Sequence, residues 1–481
     1  MIRSATPFAL LTVATLVAAA ILSALSPSPA LAGARDPVRA HLERVAADEH
    51  LPGLAVAIVP KEGPATTWTL GKDGDGRAIT EQTPFLLGSV SKSFTAAAVT
   101  QLVADGRLHL DDRLSAVVPD HGIPDERADR ITVEQLLTHT SGLTRADGLG
   151  HADLFDEAPG ALRRASRDLG DVVLGRAPGA GYEYSDLNYL LLGAAVEEVT
   201  GTPFATWVRD HVAEPAGVER LISTPATAST LPPGHRQVLG RALAFDSPYD
   251  ASGTPYGYLG TDVQGLGAWA RAQLDGQGLG TGATTTMHTG RVETGSGDLY
   301  GYGWRVDRED GQAVVQHTGA TPGYFTHVRL LPDRERAVVV MANSYSEARA
   351  PALAAIAADV ERIDAGQSPK GADDDPLLGS APFVVLALAL LGAVVALAHL
   401  RARRRLVRVV TLLAAAVLVA AALMLPRVLG YDSALLRLWA PDLGWGLWAV
   451  TVTWTAAAVV AVWSPRSRGL RRRSGPLRPA R

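Results

Sequence analysis

The 481-residue chain contains no cysteine, which excludes disulfides, thiolate-held zinc or iron–sulfur sites and a cysteine nucleophile. Lysine is scarce too, occurring only as Lys61, Lys72, Lys92 and Lys370. Neither His-Glu-x-x-His nor Gly-x-Ser-x-Gly is present, and the histidines show no zinc-ligand spacing. A zincin-type site and a nucleophile elbow are therefore disfavoured. The formal net charge of -4 lacks the basic excess that would point to nucleic acid. Apolar residues make up 47% of the chain, too many for ordinary disorder.

The charge is unevenly placed. Residues 377–481 hold 14 arginines against two acids, Asp432 and Asp442, whereas residues 33–376 carry 30 basic against 47 acidic side chains. The basic residues flank apolar runs. At the start, Arg3 precedes the apolar stretch Phe8–Leu25, followed by Ser-Pro-Ser-Pro and Ala30-Leu31-Ala32. That order reads as a signal peptide over 1–32, cut after Ala32, with an uncleaved anchor helix as the alternative. Three further runs, 377–400, 409–426 and 443–463, contain no Asp, Glu, Lys or Arg. Each is long enough to cross a hydrocarbon core of about 30 Å. Arg401, Arg403, Arg404, Arg405 and Arg408 lie between the first two runs, and seven arginines follow the third, whereas only Arg427 and Arg437 separate the second from the third. Positive-inside reasoning places the first loop and the tail (464–481) in the cytoplasm, and the domain of residues 33–364 outside it. The expected localisation is thus a multi-pass cell-membrane protein, with the bilayer as a partner of the C-terminal helices. Trp439, Trp445 and Trp463 suit interfacial anchoring. Residues 365–376 are polar, with Gly, Pro and several acids, and read as a linker.

Within the domain, Pro37–His50 has apolar residues at helical spacing. Leu54–Val59 and Thr66–Leu70 read as a β-hairpin, and Ser89–Val103 as a helix too apolar for the surface. Helical pieces and Gly/Pro loops fill the middle, with Val133–Leu137 and Leu187–Thr200 the clearest helices. Strand patterns return at Gly303–Val306, Ala313–Gln316, Phe325–Leu331 and Ala337–Met341, before a closing helix at Glu347–Ile363. The expected class is α/β (α+β): one antiparallel sheet flanked by helices and interrupted by an α-helical insertion lobe, plus three C-terminal transmembrane helices.

Ser89-Val90-Ser91-Lys92 opens the apolar helix. Residues three apart share a helix face, so the amine can reach the hydroxyl. Burial lowers a lysine pKa and lets the amine act as a base. The helix N-terminus favours an oxyanion. A surface lysine at a helix start is the alternative reading of this motif by itself.

The chain resembles the serine β-lactamase-related hydrolases: class C β-lactamases, penicillin-binding DD-peptidases, D-aminopeptidases and esterases. The resemblance rests on ordered segments. They are Phe85-Leu86-Leu87-Gly88-Ser89-Val90-Ser91-Lys92, the stretch Ile131–Leu143, Tyr184-Ser185-Asp186-Leu187-Asn188-Tyr189, Tyr302-Gly303-Trp304 and His317-Thr318-Gly319. It implies Ser89 as the acylated nucleophile, Lys92 as its proton acceptor and Tyr184 as a second acid/base. It also implies an oxyanion hole from the backbone amides of Ser89 and Ala320, and substrate contacts from Asp186, His317, Thr318 and Gly319. No metal or organic cofactor is implied.

Two positions depart from the family pattern. Asp186 stands where Asn is common, and an ionised Asp can only accept hydrogen bonds. It could hold Lys92 protonated, or receive a substrate amine or N–H. His317 replaces a common Lys, and a histidine there is expected to titrate near neutrality. His139 and Ser141 read as packing residues rather than a catalytic pair. The expected function is a membrane-anchored extracytoplasmic serine hydrolase forming an acyl-enzyme on an amide or ester. The expected partner is a small-molecule or peptide substrate, with cell-wall peptides among the candidates. A non-catalytic sensor or scaffold and a true β-lactamase are the alternatives.

Overall fold

The computed structural model describes residues 36–372, 376–401, 405–428 and 430–463. The expected signal peptide and basic tail lie outside the described residues. Asp36 starts helix α1 (Pro37–Asp48) by accepting from the Val38 and Arg39 amides, with Pro37 at the first helical position. Strands β1 (Gly53–Pro60) and β2 (Thr66–Gly71) form the expected hairpin. A 3-10 turn at Gly88–Val90 leads into α2 (Ser91–Ala104). The mostly helical middle includes α3 (Val133–Leu137), α4 (Asp186–Thr200) and α5 (Val263–Asp275). Six strands follow: β3 (Val292–Glu293), β4 (Leu299–Tyr300), β5 (Arg305–Glu309), β6 (Gln312–Thr321), β7 (Tyr324–Leu331) and β8 (Arg336–Ala342). Helix α6 (Ala350–Asp364) closes the domain.

The eight strands make one antiparallel sheet in the order β2-β1-β8-β7-β6-β5-β4-β3. The N-terminal hairpin therefore joins the C-terminal strands directly, with Val56 opposite Val340. Leu54, Val56 and Ile58 face a core shared with Leu42 of α1 and Ile356 and Val360 of α6. Ala55, Ala57 and Val59 face the larger core, which holds Phe94 of α2 and Trp269 of α5. A strand buried on both faces has no polar alternation, which explains its continuous apolar sequence.

Helix α2 is central, and 11 of its 14 residues are buried. Its hydroxyls are satisfied locally: Ser93 donates to the Val90 carbonyl at 2.7 Å and Thr95 to that of Pro255 at 2.6 Å. Trp269 stacks on Phe94 at 3.8 Å between ring centroids and donates its indole N–H to Ser93 Oγ. Burying such side chains stabilises the fold by roughly 1.5–3 kcal/mol each.

Three elements were not anticipated from sequence. The hairpin Gly234–Val238/Arg241–Phe245 pairs with Ser344–Tyr345, and the short strands β3 and β4 extend the main sheet. The third is a short helix among the apolar helices α7 (Pro376–Arg401), α8 (Arg405–Val428), α9 (Ser433–Trp439) and α10 (Pro441–Trp463). Three of these are long and apolar enough to cross a membrane: Leu377–Leu400, Arg405–Val428 and Pro441–Trp463. Helix α9 instead packs toward the sheet domain. Its Trp439, expected as an interfacial anchor, donates its indole N–H to Asp153 of that domain at 2.7 Å.

Candidate active site

The site forms where α2 begins beside β6. Gly88 has φ +52, and a Cβ there would lie 2.2 Å from the Ala320 amide nitrogen. A Cβ on Gly319 would lie 2.0 Å from the Leu87 carbonyl oxygen and 2.7 Å from the Ser89 nitrogen. Two glycines therefore let the backbone of β6 touch the turn carrying Ser89, which brings the amides of Ser89 and Ala320 together.

Lys92 is fully buried one helical turn beyond Ser89. Its Nζ lies 3.0 Å from Ser89 Oγ, 2.8 Å from the Tyr256 carbonyl oxygen and 2.6 Å from Asp186 Oδ1. Three oxygen acceptors match the three N–H bonds of an ammonium. Burial lowers the Lys92 pKa, and the Asp186 charge opposes that shift. Asp186 occupies the first turn of α4, so its position follows from the helix start.

Tyr184 donates its hydroxyl to Ser89 Oγ at 2.8 Å. Burial, reinforced by the Asp186 charge, raises the Tyr184 pKa. The phenol is thus held neutral as a proton donor.

His317 also differs from expectation. It is 3% exposed, and burial first, with the Lys92 charge second, lowers its pKa to about 3. Its Nδ1 sits 2.6 Å from the Thr318 carbonyl, which can only accept, so Nδ1 carries the proton. Nε2 then accepts from the Tyr300 hydroxyl at 3.2 Å. A neutral, fixed imidazole replaces the expected titrating group. Thr318, Gly319 and Ala320 line the cavity along β6. His139 accepts from the Ser185 amide and the Asn188 side chain, and Ser141 donates to Asn188 at 2.6 Å. This network braces the Tyr184 segment, in keeping with packing roles for His139 and Ser141.

A cavity of about 660 Å³ contains Ser89, Tyr184, Asp186 and His317. Among the described residues, no group of three or more His, Cys, Asp or Glu side chains could hold a metal ion. No role was read from sequence for the Tyr256 carbonyl, nor for Asn188, although Asn188 lies in a segment that carries the resemblance. Tyr256 carried no local signal, because its contact with Lys92 spans 164 residues.

The beta-lactamase family model matches residues 38–361. The chain belongs to this family. It is 29% identical over 307 residues to "Penicillin-binding protein 4" of Amycolatopsis lactamdurans, covering 59% of this chain and 79% of that protein. It is 25% identical over 310 residues to "Protein flp" of Staphylococcus aureus (strain MW2), covering 62% of this chain but only 61% of that protein. Among solved structures, the octameric penicillin-binding protein homologue from Pyrococcus abyssi aligns with TM-score 0.60 and 23% identity, over 73% of this chain and 81% of its own. The D-stereospecific amidohydrolase from Streptomyces sp. aligns with TM-score 0.52 and 25% identity, over 64% and 93%. Members of the beta-lactamase family are generally serine hydrolases, and this chain has their mixed α/β fold with an antiparallel sheet.

Proposed function

We propose that this beta-lactamase-family protein is a membrane-anchored serine hydrolase that cleaves an amide or ester outside the cytoplasm through an acyl-enzyme. The observation that carries the reading is Ser89 Oγ, 3.0 Å from Lys92 Nζ and 2.8 Å from the Tyr184 hydroxyl, in a cavity of about 660 Å³. The D-stereospecific amidohydrolase and penicillin-binding relatives favour a D-configured amide or cell-wall-type peptide over an arbitrary ester.

In the proposed cycle, Lys92 enters as the free amine, the form that its burial favours. Ser89 Oγ attacks the carbonyl carbon as its own proton passes to Lys92. The amides of Ser89 and Ala320 receive the oxyanion, typically a large catalytic term. Tyr184 protonates the leaving group, and the phenolate so formed takes a proton from the entering water as that water attacks the acyl-enzyme carbonyl. Lys92 returns its proton to Ser89 Oγ as the acyl group departs, which restores the serine, the amine and the phenol. With His317 neutral, no cation stands at that position to grip a substrate carboxylate, which favours an uncharged substrate over a β-lactam acid.

The docking of residues 430–442 on the hydrolase domain supports the proposed topology. That segment and the domain then share one face of the membrane, opposite the arginine-rich loop. In this reading residues 33–364 are the exported enzyme, and a linker and membrane spans form its base. The test is fluorophosphonate labelling of the full chain in membranes, compared with Ser89→Ala. Labelling of the native chain alone is expected; equal labelling of both would remove Ser89 from its role. Binding without turnover on esters, D-amino-acid amides and cephalosporins would instead favour a sensor.

A further inference from the structure

The cavity that holds Ser89 is not enclosed by the hydrolase domain alone. Tyr431 and Trp439 line it, and both belong to the segment joining the second and third apolar helices. Trp439 donates to Asp153 Oδ2 at 2.7 Å, while the Tyr258 hydroxyl donates to Oδ1 of the same carboxylate at 2.5 Å. Tyr258 and Tyr256 share one turn (Thr254–Tyr258), and the Tyr256 carbonyl is a partner of Lys92. Trp439 therefore reaches the catalytic amine through one carboxylate and one tight turn.

The segment is held by further contacts. The Leu239 amide donates to Asp442 Oδ2 at 2.9 Å, and Arg236 reaches the Leu438 carbonyl at 3.4 Å. Asp432 caps α9 through the Ala434 and Leu435 amides, and Leu435 and Leu436 are buried. Trp439 meets Tyr345 edge-on at 5.8 Å, and Arg145 lies beside Tyr431. With Tyr258, Tyr345 and Phe325 also on the lining, this wall is aromatic. Such a surface rewards a flat or bulky apolar group.

We propose that the membrane module completes the substrate site, with Trp439 and Tyr431 as specificity-determining residues that receive a bulky apolar side chain next to the scissile bond. The selected substrates are then amides or esters bearing an aromatic or similarly large acyl group. This proposal rests on the serine-hydrolase reading for its kinetics but not for its binding or its contact geometry.

The experiment uses the full chain in lipid nanodiscs with p-nitrophenyl acetate and p-nitrophenyl phenylacetate. Trp439→Ala and Tyr431→Ala are expected to raise KM for phenylacetate about tenfold, the loss of one aromatic contact. Values of kcat, acetate kinetics and fluorophosphonate labelling should stay within about twofold of the native chain. Trp439→Phe, which keeps the ring and removes the N–H, should retain the preference for phenylacetate. An unchanged acetate-to-phenylacetate ratio in both alanine variants, or an equal fall on both esters, would overturn the proposal.

Two readouts need no turnover. Phenylacetamide binding to the Ser89→Ala chain should weaken when Trp439→Ala is added. In a chain otherwise free of cysteine, Leu239→Cys and Asp442→Cys should be joined by a short bis-maleimide. Loss of neither binding nor selectivity, or failure to cross-link, counts against the proposed wall, whereas a native chain inert toward both esters counts against the hydrolase reading.

Discussion

At the residue scale, the Lys92–Asp186 pair governs how the proposed reaction depends on pH. Burial lowers the Lys92 pKa and Asp186 raises it. An amine that must accept a proton is competent only above its own pKa, so the rising limb of kcat/KM against pH follows Lys92. Asp186→Asn removes the opposing charge, leaving burial to act alone. The limb should move to lower pH, by about one unit or more at the usual strength of a close opposite charge. A limb that moves upward or stays in place would assign it to another group. His317, with its pKa at about 3, should add no inflection between pH 5 and 8, and His317→Asn should leave the shape of the profile unchanged. Ser89 and Lys92 were legible as a pair because they lie three positions apart, whereas Tyr184, 95 residues from Ser89, was read only from the family resemblance of its flanking segment. The neutrality of His317 was not legible, because it depends on burial and on the Lys92 charge, which only the folded chain brings to it.

At the element scale, the contact between β6 and the turn before α2 tolerates no side chain. Gly319→Ala would place a methyl 2.0 Å from the Leu87 carbonyl oxygen and 2.7 Å from the Ser89 nitrogen. Both neighbours are backbone, so the strand must move away from the turn and the paired amides separate. Losing one oxyanion donor typically lowers kcat about 100-fold or more. That fall is expected with labelling slowed in parallel, while far-ultraviolet circular dichroism stays native. Full activity in Gly319→Ala would place the oxyanion elsewhere. The helix α2 and the long strands β1 and β8 were readable from sequence, since each is apolar over its length and bounded by turn residues. The hairpin Gly234–Val238/Arg241–Phe245 was not. His235 and Gln237 look like solvent-facing residues, yet both are buried against Asn343 and Ser344 at the far end of the domain. Helix α9 spans seven residues, too few for its periodicity to stand out.

At the scale of the whole molecule, residues 365–372 read as linker from their polar composition, which could not show that they are tied down. The Lys370 and Gly371 amides donate to Asp359 Oδ1 of α6 at 2.6 and 3.1 Å, and Arg362 Nε reaches the Ser368 carbonyl at 2.9 Å. Asp359 is 3% exposed and also faces His41 at 3.4 Å. Cleavage after Lys370 by trypsin requires this stretch to leave α6, so the rate reports the local opening equilibrium. Asp359→Ala deletes both amide acceptors, and charge-assisted hydrogen bonds contribute about 1.5–3 kcal/mol. Cleavage at Lys370 should therefore accelerate by about tenfold or more, measured by the appearance of the domain-sized fragment. The two fragments should then remain together in detergent, because Trp439–Asp153 and Leu239–Asp442 join them without the linker. Separation on cleavage would show that the linker, rather than the segment at 430–442, positions the hydrolase domain. Co-purification that is lost only when Trp439→Ala and Asp442→Ala are combined would assign the attachment to the wall of the cavity itself.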